Sequence, residues 1–253
     1  MHIKEGTFTP APQRSSKIAM ASAQGIIESR LMLRHGEQLL LSIFIPAALL
    51  IASVSLPIFG EDLSLDTLVP MVFAVAATSS GFTGQAISLA FDRRYGALKR
   101  TGASGVPPWT IIVGKILGVV SMVCVQIAVL GPVAAFLGWR PSLSGAVLGA
   151  CVLFLGVACF TSLGLLMGGS LSSEMVLAVS NLLWVIMMGI VGWVVYSGDL
   201  SQAGWWNLVP TVSLAAGISD ALALTANVPA LLSLLAWVVA GVSASVRFFR
   251  FDD

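Results

Sequence analysis

Residues 109–137 read WTIIVGKILGVVSMVCVQIAVLGPVAAFL, with Lys115 as their single charge. A helix needs about 20 mostly apolar residues to cross roughly 30 Å of bilayer hydrocarbon, and this stretch exceeds that. The run is continuous, without the period-two alternation of a barrel strand. Five further blocks share its character: residues 38–57, 68–89, 143–167, 175–196 and 228–246. Six such blocks cannot be core helices of a soluble fold, because too little polar sequence remains to cover them. Composition agrees. Of 253 residues 57% are hydrophobic and 10% charged, against roughly 25% charged in soluble domains. The sequence therefore predicts an all-α integral membrane protein of six transmembrane helices.

Charge placement orients it. Lys4, Arg14, Lys17, Arg30 and Arg34 precede the first block, and Arg93, Arg94, Lys99, Arg100 and Lys115 lie between or beside the second and third. Arg247 and Arg250 follow the last block, so Arg140 alone of 13 basic residues falls on the other side. The positive-inside rule then places both termini in the cytoplasm, with Glu61, Asp62, Asp66, Asp199 and Asp220 outside. The expected location is the cell membrane. The first apolar run starts only near Leu39 and is too long for a signal peptide. A net charge of +1 points to no particular partner, and no nucleic acid is expected. Cys124, Cys151 and Cys159 all fall inside spans, as small packing residues rather than a disulfide or metal framework.

Two segments flank this plan. Residues 1–14 are polar, and residues 15–35 can form a helix on which Ala23, Ile27 and Leu31 repeat beside Arg30 and Arg34. A basic amphipathic segment before a span suits a helix lying in the headgroup region; the alternative is a solvated extension of span one. Residues 1–37 thus read as tail and interfacial helix, and 38–253 as the six-span domain. Loops at 59–66, 138–141 and 168–174 are too short to hold a soluble domain. Residues 197–227 are too long for a turn and too apolar for a solvated loop. They hold Trp205 and Trp206, then the apolar run 208–223 with Pro210 and Asp220. A run that short predicts an extracellular re-entrant hairpin before the last span; the alternative is a loose extracellular loop.

Enzyme signatures are absent. Gly114-Lys115 lacks the upstream glycine of a phosphate loop and continues into Ile116. No His-Glu-x-x-His or Gly-x-Ser-x-Gly occurs, and the two histidines, His2 and His35, lie outside the spans. Within the spans, acids occur only at end positions such as Glu37 and Glu174. That argues against a proton- or sodium-coupled carrier, which keeps ionisable groups at mid-membrane. Lys115 is expected to snorkel to the interface. Thr78, Ser79, Ser80, Thr83, Gln85, Gln126 and Asn181 are polar residues inside spans. They read either as interhelical hydrogen-bonding glue or as the lining of a substrate path. Three small-xxx-small pairs, Gly114/Gly118, Gly145/Gly149 and Gly164/Gly168, allow close helix packing.

Residues 91–100, Phe-Asp-Arg-Arg-Tyr-Gly-Ala-Leu-Lys-Arg, carry the most specific signal. As one helix they would put Phe91, Tyr95 and Leu98 on a single stripe, with Asp92 and Lys99, and Arg93 and Arg100, seven apart on other faces. The basic residues serve either as positive-inside anchors or, with the ordered stripe and Gly96, as a dock for a cytoplasmic partner.

That segment, with Trp109 to Gly114-Lys115 after it, resembles the membrane subunits of ABC-2 type transporters. In that family an acidic-Arg-acidic-x-Gly-Thr-Leu-like run follows span two and a Gly-Lys pair opens span three. The interfacial helix, six spans and Pro-containing hairpin fit the same layout across essentially the whole chain. Arg94 stands where an acid is usual, Ala97 where Thr is common, and the pattern near the end of span five is reduced to Gly189…Gly192. The resemblance implies a permease dimer, with an identical or homologous second copy, in contact with membrane lipids. It also implies separate cytoplasmic ATPase subunits docked around residues 92–100, which bind the ATP and Mg, so that this chain needs no cofactor and is not itself an enzyme. Such exporters move drugs, lipids or lipid-linked glycans. The apolar path favours an amphiphile over a polysaccharide. A non-transporting scaffold or sensor that docks a partner is the rival expectation, with a secondary carrier behind it.

Overall fold

The computed structural model describes residues 15–55, 64–103, 107–198, 200 and 203–248. The tail 1–14, most of the loop 59–66, and Asp199 and Arg250 lie outside the described residues. Helix α1 (Lys17–Arg34) is followed by α2 (Gly36–Ser55), α3 (Leu65–Arg94), α4 (Ala97–Ala103) and α5 (Pro108–Phe136). Then come α6 (Leu143–Ser170), α7 (Ser173–Ser197), a 3₁₀ turn at Gly204–Leu208, α8 (Pro210–Leu222) and α9 (Val228–Phe248). No strand occurs among the described residues. Six helices (α2, α3, α5 from Trp109, α6, α7 and α9) are long and apolar enough to cross a membrane. They coincide with the six apolar blocks.

Span two is the centre of the bundle. Every residue of α3 from Leu68 to Thr83 is buried, whereas α2, α7 and α9 show apolar faces such as Ile51, Leu182 and Val239 to the outside. The helix also runs to Arg94, beyond the apolar block, because Asp92 and Arg93 find partners inside the protein. The three glycine pairs each make a different close contact. Gly114 and Gly118 receive α1, where a Cβ on Gly118 would stand 3.1 Å from Glu28 Cβ and 3.3 Å from Met32 Sδ. Gly145 and Gly149 receive Leu222 of α8. Gly164 and Gly168 receive α3, and a Cβ on Gly164 would stand 2.6 Å from Phe82 O. Backbone meets backbone there, as small residues permit in a membrane bundle.

Helix α1 is not an extension of span one. His35 is extended (φ −86°, ψ 103°) and its Nδ1 accepts the Gln38 amide at 3.4 Å, so the chain breaks and α2 starts afresh. The inner face of α1 is Gly25, Glu28 and Met32, while Ala23 and Ile27 face away from the bundle and Leu31, also exposed, stands at the mouth of a cavity beside α2. Ser29 Oγ and Ser121 Oγ lie 2.9 Å apart across the α1–α5 contact. Among the cysteines only Cys159 packs inside; Cys124 and Cys151 are exposed, correcting their expected role as packing residues. Both sit on helix faces that no other element covers.

The 13 residues of α8 rise about 20 Å, too little to cross the hydrocarbon. Pro210 occupies its first turn, where a missing N–H costs nothing, and the helix is buried from Pro210 to Ile218. Thr211 meets Thr78 of α3 at 3.3 Å, while Leu222 meets Gly145 at the start of α6. Trp237 Nε1 donates to Leu208 O at 2.8 Å, and Ser213 Oγ to Asn207 O. Asp220 builds the turn into α9: its Oδ2 accepts Asn227 Nδ2 at 2.8 Å and its carbonyl accepts Thr225 N at 2.8 Å. Trp205 and Trp206 stack at 3.9 Å between ring centroids.

Candidate functional site

The site grows from the end of span two. Tyr95 caps α3, donating N–H to Phe91 O at 2.9 Å, and Gly96 N donates to Arg93 O at 3.0 Å. Gly96 has φ +67°, the left-handed conformation in which glycine ends helices without a Cβ penalty. Helix α4 then starts afresh, with Arg100 N donating to Gly96 O at 3.1 Å. The segment 91–100 is therefore two helix ends joined by a turn, which corrects the expected single helix. Phe91 and Tyr95 keep their contact at 5.8 Å, but Leu98 belongs to the next element.

The turn divides the charges by task. Asp92 Oδ2 accepts Lys115 Nζ at 2.7 Å, and that ammonium also meets Ser88 Oγ at 3.1 Å and Glu28 Oε2 at 3.5 Å. Lys115 is 2% exposed, so the expected snorkelling does not occur. The cause is α1, which lies over the start of α5 and brings Glu28 within reach, so the ammonium finds three acceptors without water. Gln24 Nε2 donates to the other Glu28 oxygen at 3.1 Å. Arg93 is buried and donates from Nη1 to Gly168 O at 2.8 Å and Leu171 O at 2.9 Å. These are terminal carbonyls of α6, which lack intrahelical partners and carry the negative end of the helix dipole. Arg94 Nη1 reaches Ser173 Oγ at 3.1 Å and Glu174 at 3.4 Å, at an exposed position. Arg100 Nη1 donates to Tyr95 O at 2.7 Å and braces the turn.

What remains outward is compact. Tyr95 is 64% exposed, and Arg94, Lys99 and Arg100 are exposed around it, with Leu98 half-buried. Arg93 is not part of this surface. Sequence reasoning missed Glu28 and Ser88, although Glu28 stands one turn from Gln24 on a helix otherwise short of acids. It also missed the role of Lys115, whose partners come from two other helices, α1 and α3.

The polar residues inside the spans separate similarly. Both α2 and α3 contain a π-helical turn, at Leu40–Phe44 and Thr78–Thr83. Such turns shift the hydrogen-bond ladder and recur at functional sites. Gln126 Nε2 of α5 donates to Ser42 O, inside the first, at 3.3 Å and to Ala76 O, two residues before the second, at 3.0 Å, while Gln38 Nε2 donates to Ser79 O at 3.2 Å. Thr78 Oγ1 donates to Ala74 O at 2.7 Å, and Gln85 Nε2 lies 3.4 Å from Met32 Sδ. Asn181 is half-buried and bonds its own helix at Leu177 O. Ser79 Oγ and Thr83 Oγ1 are buried without a hydrogen-bond partner.

The family described as ABC-2 type transporter matches residues 26–223, from the middle of α1 to the end of α8. No curated protein matches the chain. Six membrane-crossing helices, a permease-family match over most of the length and a charged turn closing span two converge: the chain belongs to the ABC-2 type transporter family, as a multi-pass membrane permease.

Proposed function

We propose that this permease is the membrane subunit of an ATP-driven exporter of drugs, lipids or other amphiphiles, worked by a separate ATPase subunit. The observation that carries the proposal is the turn at 94–100. It presents Tyr95, Lys99 and Arg100 outward while three internal ties anchor it: Asp92 to Lys115, Arg93 to the end of α6, and Arg94 to the start of α7. A force applied to that turn reaches α1, α5, α6 and α7 at once. Such a handle suits a nucleotide-driven partner, and ATP with Mg would be bound by that partner.

Both termini are assigned to the cytoplasm on the distribution of basic residues. Helix α1 is taken as interfacial, since Ile18, Ile26, Ile27 and Leu31 are exposed and apolar against nearby Arg30 and Arg34. The 3₁₀ turn and α8 are taken as a re-entrant hairpin on the outer side, supported by the shortness of α8 and by Asp220 at its return. Two copies would form the conducting unit, with Ser79 and Thr83 available to the substrate path because nothing inside the chain occupies them.

The test is transport in proteoliposomes holding the full chain with its ATPase subunit. ATP-dependent accumulation of an amphiphilic dye, abolished by a hydrolysis-dead ATPase, is expected. A partner that binds without any ATP-dependent movement would favour the scaffold or sensor.

A further inference from the structure

A cavity of about 440 Å³ opens between α1, α2, α3 and α7. Its walls are largely apolar, formed by Leu31, Met32, Leu41, Ile87, Phe91 and Leu177. Its charge is acidic. Glu28 and Asp92 face it and share Lys115 as counter-ion, and Glu37 adds a third carboxylate at the exposed rim. Three carboxylates against one ammonium leave an excess of negative charge. His35, also at the rim, accepts the Gln38 amide at Nδ1. Arg93 and Arg94 turn away onto α6 and α7.

Thr83 supplies an independent observation. It lines the cavity, is 1% exposed, and its Oγ1 has no hydrogen-bond partner. A helical threonine ordinarily donates to a carbonyl one turn back, as Thr78 does to Ala74 O. An unmade buried hydrogen bond is costly, and among the buried side-chain atoms without a partner this hydroxyl is the one that lines the cavity. Thr83 and Asp92 lie nine residues apart on α3, about 13 Å at the helical rise. Among the described residues no group of His, Cys, Asp and Glu could hold a metal ion, so an inorganic guest is not indicated.

We propose, building on the exporter function above, that this cavity binds amphiphilic organic cations. The charged nitrogen lies against Glu28, Asp92 and Glu37. The apolar body lies along Leu31, Leu41 and Ile87, and a polar group at its far end reaches Thr83. An ammonium could come from a soluble amphiphile or from a lipid headgroup. A zwitterionic headgroup also brings a phosphate against the same carboxylates, which favours the soluble cation.

Ethidium, a planar cation with amino groups at its far edge, is the probe, titrated by fluorescence onto the full chain in dodecyl maltoside. Thr83→Val should weaken binding about fivefold without lowering the melting temperature of the dye-free protein, since it deletes an unpartnered hydroxyl. Glu37→Gln, at an exposed position, should weaken it about twofold; should Thr83→Val fail to fold, this variant carries the test. Tetraphenylphosphonium should displace the dye and tetraphenylborate, its anionic analogue, should not. Equal affinity in the parent and Thr83→Val, or displacement by tetraphenylborate, would overturn the site. Displacement by phosphatidylethanolamine but not phosphatidylglycerol would overturn the assignment to a soluble cation in favour of a lipid. Binding is read without ATP or ATPase, so its failure leaves ATP-driven export standing, and a failure of export leaves binding standing.

Discussion

Replacing Lys115 by Met removes the ammonium 2.7 Å from Asp92 and 3.5 Å from Glu28. At an effective dielectric of about 20 the shorter contact alone carries roughly 6 kcal/mol of attraction, most of it offset by lost hydration. Removing one partner is different from removing all, because it strands the remaining charges, at about 3–5 kcal/mol for a buried pair. The Asp92 side chain is 32% exposed and can relax toward water, whereas Glu28 at 9% cannot. The lower end of that range, about 3 kcal/mol, is therefore expected. For a chain of this size that lowers the melting temperature by about 10 °C, read by intrinsic fluorescence of the purified protein in nanodiscs. The triple change Lys115→Met, Glu28→Gln, Asp92→Asn removes the stranded charges too and should recover most of the loss. A single Lys115→Met variant melting within about 2 °C of the parent would refute the buried ion cluster and restore a snorkelling lysine.

Other perturbations follow from the same contacts. Gly164→Ala forces a Cβ against Phe82 O and Gly81 O and should cost about 2 kcal/mol in thermal melting, whereas Gly189→Ala, with nothing within 4 Å, should cost nothing. Gln126→Leu strips the side-chain donors from Ser42 O, in the first π-helical turn, and Ala76 O, just before the second, and should destabilise by about 2 kcal/mol in the same assay. Gly96→Ala strains the turn at φ +67° by about 1 kcal/mol and should lower ATPase-stimulated transport more than it lowers stability, measured side by side.

The spans were legible because each is a long apolar run, and a bilayer leaves a backbone no alternative to helix. The glycine pairs announced close packing but not their partners, since a small residue states only that something approaches. Lys115 was misread for a related reason. A lysine near a span end snorkels unless another helix brings it acceptors, and α1 does so through Glu28, 87 residues away in sequence. The stripe of Phe91, Tyr95 and Leu98 assumed one helix through Gly96, and periodicity alone cannot see a left-handed glycine. Arg93 looked like a surface charge because the end of α6, whose carbonyls it caps, is remote in sequence. Thr78 and Thr83 are alike in the sequence, yet one is tied to α3 and α8 and the other is left open.

The most direct test of the central claim is co-purification of the ATPase subunit with the permease carrying Tyr95→Ala, Lys99→Glu and Arg100→Glu. All three side chains are on the turn after span two and none is in the buried cluster, so the membrane fold should hold, as a melting temperature unchanged from the parent would show. Truncating an aromatic anchor at an interface typically costs about 2 kcal/mol or more, and two charge reversals add repulsion. The expected result is a folded permease that no longer retains the ATPase and no longer transports on ATP. Normal retention of the ATPase with normal ATP-dependent export by the same variant would contradict the docking role of this turn, and with it the proposed coupling.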